Sequence, residues 1–201
     1  MYDFVTIGSA TIDAFVESEA ADIVSVSTKK ASTEFMAFPY GAKVEIDSFR
    51  TAVGGGGINA AANLANLGFN TSAIFKIGED FQGKTIKHRV KQANVDTSNI
   101  IESKTESSGF SIILLSFEGN RTVLAHRGTN GTIKEDEINY EAIKNAKWLY
   151  IAPLNGNSGA VLDKIAHFAE ENNTNVIINP GSSSLKKGLK YFEKILATAE
   201  V

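Results

Sequence analysis

Apolar residues along this chain come in short runs separated by turn-forming positions, and in the later part strand-like runs alternate with helical periodicities. Phe4 to Ile7 is a short apolar run closed by Gly8-Ser9, and Ile12 to Val16 resumes with Asp13 inside it. Strand, turn, strand is expected. From Ser25 to Val53 the chain is rich in Ser, Thr and Lys, with Phe35 to Phe38 and Val44 to Ile46 flanking the turn signal Pro39-Tyr40-Gly41. That pattern predicts an extended excursion or hairpin outside the main core. Gly54 to Gly57 then open a segment in which Ile58, Ala61, Ala62 and Ala65 share one helical face up to Leu67. Gly68 follows as a left-handed C-terminal cap.

After the cap the pattern predicts a strand over Ser72 to Ile77 and a helix from Phe81 to Ala93 with Ile86 and Val90 inward. Phe110 to Phe117 and Thr122 to Ala125 flank Glu118-Gly119-Asn120-Arg121, a hairpin signal because Gly and Asn tolerate positive φ. The remainder alternates: helix over 136–145, strand over 148–152, helix over 158–171, strand over 175–178 and helix over 189–197. Short apolar strands separated by amphipathic helices predict an α/β fold with a parallel sheet. Because the alternation stops just after a helix, where another core strand is expected, residues 1–201 are expected to form an incomplete domain.

Composition narrows the function classes. A chain of 201 residues with 43% hydrophobic and 21% charged residues lies in the ordinary globular range, and no apolar run approaches a membrane span. The acidic opening Met1 to Val5 lacks the basic start of a secretory signal. There is no cysteine, which removes disulfides, thiolate nucleophiles and cysteine zinc sites, and fits a cytoplasmic protein. Twenty basic against 23 acidic residues give no footprint for nucleic acid or an anionic membrane. His88, His126 and His167 are too scattered to suggest a metal site, and the Asn-x-Thr triplet Asn130-Gly131-Thr132 carries no weight in an Asn-rich chain.

Chemistry is concentrated in the glycine segments, which admit three readings. Gly55-x-Gly57-x-x-Ala60 opens a helix, with Glu79 about twenty residues on, as a dinucleotide fingerprint requires, but it does not follow the first strand. Gly78-Glu79-Asp80-Phe81-Gln82-Gly83-Lys84-Thr85 satisfies the P-loop pattern, yet Glu79 and Asp80 would face polyanionic phosphate and Phe81-Gln82 are bulky where backbone must approach. Lys84 reads better as a solvated helix residue. The third reading takes the segments together. Gly8-Ser9-Ala10-Thr11-Ile12-Asp13, then Gly54 to Gly68, then Ile77-Gly78-Glu79-Asp80-Phe81-Gln82-Gly83 resemble, in order and spacing, the ribokinase (PfkB) family of carbohydrate kinases. Glu118 to Thr122 resembles that family's hairpin and Asn179-Pro180-Gly181 its end-of-strand turn.

The resemblance implies a ribokinase-like, mostly parallel sheet flanked by helices, with residues 25–53 contributing a small β lid and the C-terminal part of the fold missing. It implies that Asp13 accepts hydrogen bonds from substrate hydroxyls, and that Gly55, Gly56, Gly57 and Asn59 close on the same substrate. These residue types suit a polyol: a carboxylate accepts from adjacent hydroxyls, and glycine lets the backbone approach without a Cβ. The plain alternatives are a turn carboxylate for Asp13 and a helix cap for Asn59. Gly78, Asp80 and Gly83 read as structural, a turn and a helix start. Gly56 stands where several sugar kinases of the family carry a bulkier residue, Pro153-Leu154-Asn155 lacks a carboxylate that some members use, and Arg127 reads as a solvated strand-end residue.

The family's Gly-Ala-Gly-Asp segment, with its catalytic Asp, does not occur in the sequence; in the family order that segment and the Asn-x-x-Glu magnesium motif both lie beyond Val201. The resemblance therefore implies the substrate-binding part of a kinase acting on a sugar, sugar phosphate or nucleoside. ATP, Mg2+ and a monovalent cation would serve the intact protein, and none is expected to bind this chain strongly. It also implies a homodimer joined through the β lid. The alternatives are a non-catalytic ligand-binding module and the two nucleotide-binding readings.

Overall fold

The structure is a computed structural model and describes the chain apart from residues 155, 182–184, 187, 189–192 and 201 and the side chain of residue 194. The strands are β1 (Tyr2–Ile7), β2 (Thr11–Glu17), β3 (Asp22–Ser27), β4 (Ser32–Ala37), β5 (Ser48–Gly54), β6 (Thr71–Ile74), β7 (Lys76–Gly78), β8 (Ile101–Ser103), β9 (Gly109–Leu115), β10 (Arg121–His126), β11 (Ala146–Ile151) and β12 (Asn175–Ile178). The helices are α1 (Gly56–Asn66), α2 (Phe81–Gln92), α3 (Tyr140–Lys144), α4 (Leu162–Glu171) and α5 (Glu193–Thr198), with 3-10 turns at Gly128–Gly131, Glu135–Glu137 and Gly156–Val161. The chain divides into two units: Met1–Ile12, Val53–Phe110 and Arg127–Val201 form the first, Asp13–Ala52 and Ser111–His126 the second. The boundary falls within β2, β5 and β9.

In the first unit the sheet order is β12-β11-β1-β6, and every neighbouring pair is parallel. Ile7 of β1 stands opposite Ile151 of β11 and Ile74 of β6. Successive residues of a strand point to opposite faces, and here both faces are covered. Val5, Ile7, Ile74, Leu149 and Ile151 pack with Ile165, Ala166 and Ala169 of α4, whereas Ala73 joins Ile58 and Ala61 of α1 in a second cluster that includes Phe75, Ile77, Ile86 and Val90. Thr6, between Val5 and Ile7, is fully buried and donates its hydroxyl to the Gly57 carbonyl at 2.9 Å. A parallel sheet flanked by helices is therefore present as expected.

Helix α1 ends at Leu67 in a Schellman motif: the Gly68 amide donates to Ala65 and the Phe69 amide to Leu64, with Gly68 at φ +93. Past β6 the predicted single strand over 72–77 breaks at Phe75. Its second half, β7, leaves the main sheet to pair with β8, a strand the sequence pattern did not suggest. Hydropathy period registers a strand but not a change of partner. Lys76 of β7 is buried, and its ammonium meets Glu137 at 2.8 Å, Glu106 at 3.1 Å and the Thr132 carbonyl at 3.2 Å. Burial works against the charge, but the hydrogen bonds to Glu137 and Glu106 outweigh it and hold the ammonium above its ordinary pKa.

The second unit holds a sheet of order β10-β9-β2-β5 and an antiparallel hairpin of β3 and β4. The Arg50 guanidinium lies 4.2 Å from the centre of the Phe15 ring, a cation–π contact between neighbouring strands. The expected hairpin around Pro39-Tyr40-Gly41 is corrected: that segment turns, with Ala42 donating to Pro39, but residues 43–46 form no strand. The true hairpin turns at Thr28-Lys29-Lys30-Ala31, where the Thr28 hydroxyl accepts from the Lys30 and Ala31 amides. A threonine side chain supplies the turn that glycine or proline supplies elsewhere. The excursion expected at 25–53 lies in this unit apart from Val53, and the unit also takes in residues 13–24 and 111–126. The hairpin predicted around Gly119 is present as β9 and β10, and Gly119 adopts φ +83.

The helix predicted over 136–145 is reduced to the 3-10 turn Glu135–Glu137 and α3, which starts where the Asn139 side chain accepts from the Ala142 amide. The helix predicted from 158 begins as a 3-10 turn and becomes α-helical at Leu162. Of the final predicted helix, residues 189–192 lie outside the described residues and Glu193–Thr198 is helical.

Candidate functional site

The order of the parallel strands locates a site before any side chain is considered. The chain steps from β1 to β6 on one side, then to β11 on the other side of β1, and on to β12. The strand order thus reverses between β1 and β11, and in open α/β sheets ligands bind outside the carboxyl ends of the strands at such a point.

Gly8-Ser9 follow β1 there, and Ala152-Pro153 follow β11, with the Ala152 amide donating to the Ile7 carbonyl at 2.8 Å. The first turn of α1 is laid against them. Gly55 caps it at φ +105, where a Cβ would sit 2.3 Å from the Ser9 carbonyl oxygen. A Cβ on Gly57 would lie 2.9 Å from Gly8 Cα, one on Gly8 would lie 2.6 Å from Ala152 Cβ, and one on Gly56 would lie 3.0 Å from that same atom. Gly181, after β12, would meet Pro153 Cβ at 2.7 Å. Only glycine allows these backbones to approach so closely. Ser9 joins the segments: its hydroxyl accepts from the Gly56 amide at 3.1 Å and its carbonyl from the Gly57 amide at 3.3 Å. Helix α1 has no side-chain cap and no acidic residue in its first turn, so its dipole faces this glycine-lined end unopposed by carboxylate.

Asn59 is exposed, and its amide already bonds to the Gly55 carbonyl within the helix. The helix cap considered for it falls instead on Gly55. Asp13 lies in the second unit, the third residue of β2, half-buried, and among the described residues its carboxylate has no hydrogen-bond or ion-pair partner. Arg127 is exposed. Asn155, in the Pro153-Leu154-Asn155 segment, lies outside the described residues. His88, His126 and His167 are all exposed, and among the described residues no group of three His, Asp or Glu side chains could hold a metal ion.

The P-loop reading fails on geometry. Asp80 caps α2: Oδ1 accepts from the Gly83 amide and the Ser108 hydroxyl, both at 2.7 Å, and Oδ2 from the Ser108 amide at 2.7 Å. The Gly78 amide donates to the Ser108 hydroxyl and the Glu79 amide to the Ser103 carbonyl. With these loop amides engaged inside the protein, the segment is a turn and helix start rather than a phosphate cradle. Burial pushes the Asp80 carboxyl up, but the Ser108 and Gly83 donors outweigh it and hold the pKa below 3.8. The dinucleotide reading fails on topology, because the glycine turn opens α1 after β5 rather than after β1. Sequence reasoning missed Ser9 as the link between segments. Its only signal was a position inside Gly8-Ser9, which reads equally well as the end of a strand.

Fold and switch point together define an open parallel α/β protein with a candidate ligand site outside the carboxyl ends of its strands. The description "pfkB family carbohydrate kinase" matches residues 7–199, and the chain belongs to this family, of the ribokinase type. It is 32% identical over 143 residues to the ribokinase of Staphylococcus aureus, covering 70% of this chain and 46% of that one. It is 26% identical over 159 residues to the ATP-dependent ribose-1-phosphate kinase of Halopiger xanaduensis, covering 79% and 52%. The chain spans about half the length of the curated relatives it matches. Among solved structures, a carbohydrate kinase from Agrobacterium tumefaciens shares the fold with a TM-score of 0.75 at 20% identity, over 100% of this chain and 59% of its own. Arabidopsis thaliana ribokinase, solved with ribose and ATP, does so with a TM-score of 0.71 at 19% identity, over 98% and 67%.

Proposed function

We propose that this chain supplies the acceptor-binding part of a kinase that transfers the γ-phosphoryl group of ATP to a hydroxyl of a sugar, sugar phosphate or nucleoside. The observation that carries the reading is the set of glycines crowded at the carboxyl ends of β1 and β11, in a chain of the pfkB family. The backbone of Gly55, Gly56 and Gly57 closes on the acceptor, with the Gly56 and Gly57 amides held by Ser9, while the Asn59 side-chain amide and the Asp13 carboxylate hydrogen-bond its hydroxyls. A half-buried carboxylate with no partner among the described residues is chemically suited to that task. Relatives named for ribose, ribose 1-phosphate and nucleosides set the acceptor classes to try.

ATP, Mg2+ and a monovalent cation serve the intact protein in this reading. No ATP contact is assigned to this chain. The chain by itself should bind acceptor and not ATP. Residues 25–53 serve as a lid that excludes water from phosphoryl transfer, and two copies pair through the unit that carries this lid. A cytoplasmic location belongs to the same reading.

The test is a phosphorylation assay of the whole protein against pentoses, hexoses, their phosphates and nucleosides, with calorimetry on this chain. Turnover of one acceptor class, and acceptor binding without ATP binding by the chain, are the expected results. Folded protein silent across the panel would end the kinase reading.

A further inference from the structure

Ser9 receives the first amides of α1; the Gly8 amide before it donates to the Ile74 carbonyl at 3.2 Å, and the other end of the loop, at Ala10, is restrained from far along the chain. The restraint comes from Asn130, 120 residues along the chain, in the 3-10 turn Gly128–Gly131. Asn130 is only 6% exposed. Its Oδ1 accepts from the Ala10 amide at 2.8 Å, and its Nδ2 donates to the Ala10 carbonyl at 2.8 Å. One side-chain amide thus pairs both backbone groups of a single residue, as a neighbouring strand would. Gly109 makes the space, since a Cβ there would lie 2.1 Å from Asn130 Nδ2. Asn130 is itself held from behind: its carbonyl accepts from the Ser158 hydroxyl at 2.9 Å, and that fully buried hydroxyl accepts from the Ile133 amide at 2.9 Å. Hydrogen bonds therefore link Ser158 to Asn130 and Asn130 to Ala10, and Ser9, the residue covalently before Ala10, bonds on to the Gly56 and Gly57 amides.

We propose that Asn130 is a positioning residue for acceptor binding: by clamping Ala10 it sets where Ser9 holds the first turn of α1. The proposal rests on the reading of Gly55 to Asn59 as an acceptor site. It requires asparagine and not merely a polar group. Aspartate has no donor and sets a carboxylate oxygen against the Ala10 carbonyl, while an apolar side chain leaves both Ala10 groups unpaired and buried.

The test compares wild type, Asn130→Asp and the milder Ser9→Ala in the whole protein, by amide hydrogen exchange and by steady-state kinetics with acceptor and ATP varied separately. In Asn130→Asp, exchange should rise about tenfold in segments 8–12 and 55–59 while β11, β12 and α4 keep their protection. Acceptor KM should rise about tenfold and ATP KM stay within about twofold. Ser9→Ala should move both readouts in the same direction by less. Uniform loss of protection with equal effects on both substrates would reduce Asn130 to a structural residue and overturn the proposal. A loosened loop with unchanged acceptor KM would do the same. Should Asn130→Asp not fold, Ser9→Ala with unchanged exchange at 55–59 and unchanged acceptor KM overturns it. A wild-type protein that phosphorylates no acceptor sinks the kinase reading instead, and the exchange pattern still decides whether the clamp exists.

Discussion

Two carboxylates illustrate opposite uses of the same group. Asp80 is consumed by structure: three donors saturate it, and it caps α2. Asp13 has no protein partner among the described residues. Asp13→Asn should therefore leave folding stability within about 0.5 kcal/mol of wild type in urea titrations. It should raise acceptor KM by about tenfold or more, because hydrogen bonds to a charged acceptor are the strong ones. Equal acceptor KM in the two proteins would remove Asp13 from the site. For Asp80 the sign of the pH effect follows from its lowered pKa. Above the unfolded value of about 3.9 the carboxylate contributes its full stability, which is lost as pH falls through the lower folded value. Asp80→Asn lacks this titration, so its stability should fall less steeply than wild type below about pH 4, as followed by denaturant titrations at several pH values.

At the scale of elements, α1 is fixed at its two ends by different physics. At the N-terminus steric contact with Gly8, Ser9 and Ala152 demands glycine. At the C-terminus Gly68 has nothing within 4 Å of a would-be Cβ, so only its φ of +93 demands glycine. Gly68→Ala should thus cost about 1 kcal/mol in urea unfolding, the backbone strain alone, and leave acceptor KM unchanged. Gly57→Ala should cost more and also weaken acceptor binding, since its Cβ would meet the Gly8 backbone at 2.9 Å.

At the scale of the molecule the two units differ in how much they bury. Val5, Ile7, Leu149 and Ile151 in the first unit are at most 1% exposed, whereas every residue of β10 in the second is exposed. Amides of β1 and β11 should exchange slowest and those of β3, β4 and β10 fastest, because local opening costs least where little apolar surface is buried. The second unit also exposes Val24, Val26, Phe35, Phe49, Val123 and Leu124. If these residues pair two copies, light scattering should report a dimer of the whole protein that Leu124→Glu converts to monomer at unchanged melting temperature. A wild-type monomer would discard that pairing.

Elements whose signals are local could be read directly: the strands over 4–7, 148–152 and 175–178, the helices after Gly54 to Gly57 and from Phe81, and the Gly119 hairpin, all of them present within a few residues. Periodicity, capping and positive φ are properties of a few consecutive residues, so they can be read from them. The glycine segments were legible too, as a pattern, but not why each glycine is needed. Tertiary structure alone decided what depends on distant partners. It placed Gly57 against Gly8, moved β7 out of the main sheet to meet Ile101–Ser103, and made Thr28 rather than Gly41 the hairpin turn. It also made Asn130, which reads as an unremarkable polar residue, the brace of a loop 120 positions away. Such pairings arise where chain ends of separate strands converge, and one strand carries no record of which others will lie beside it.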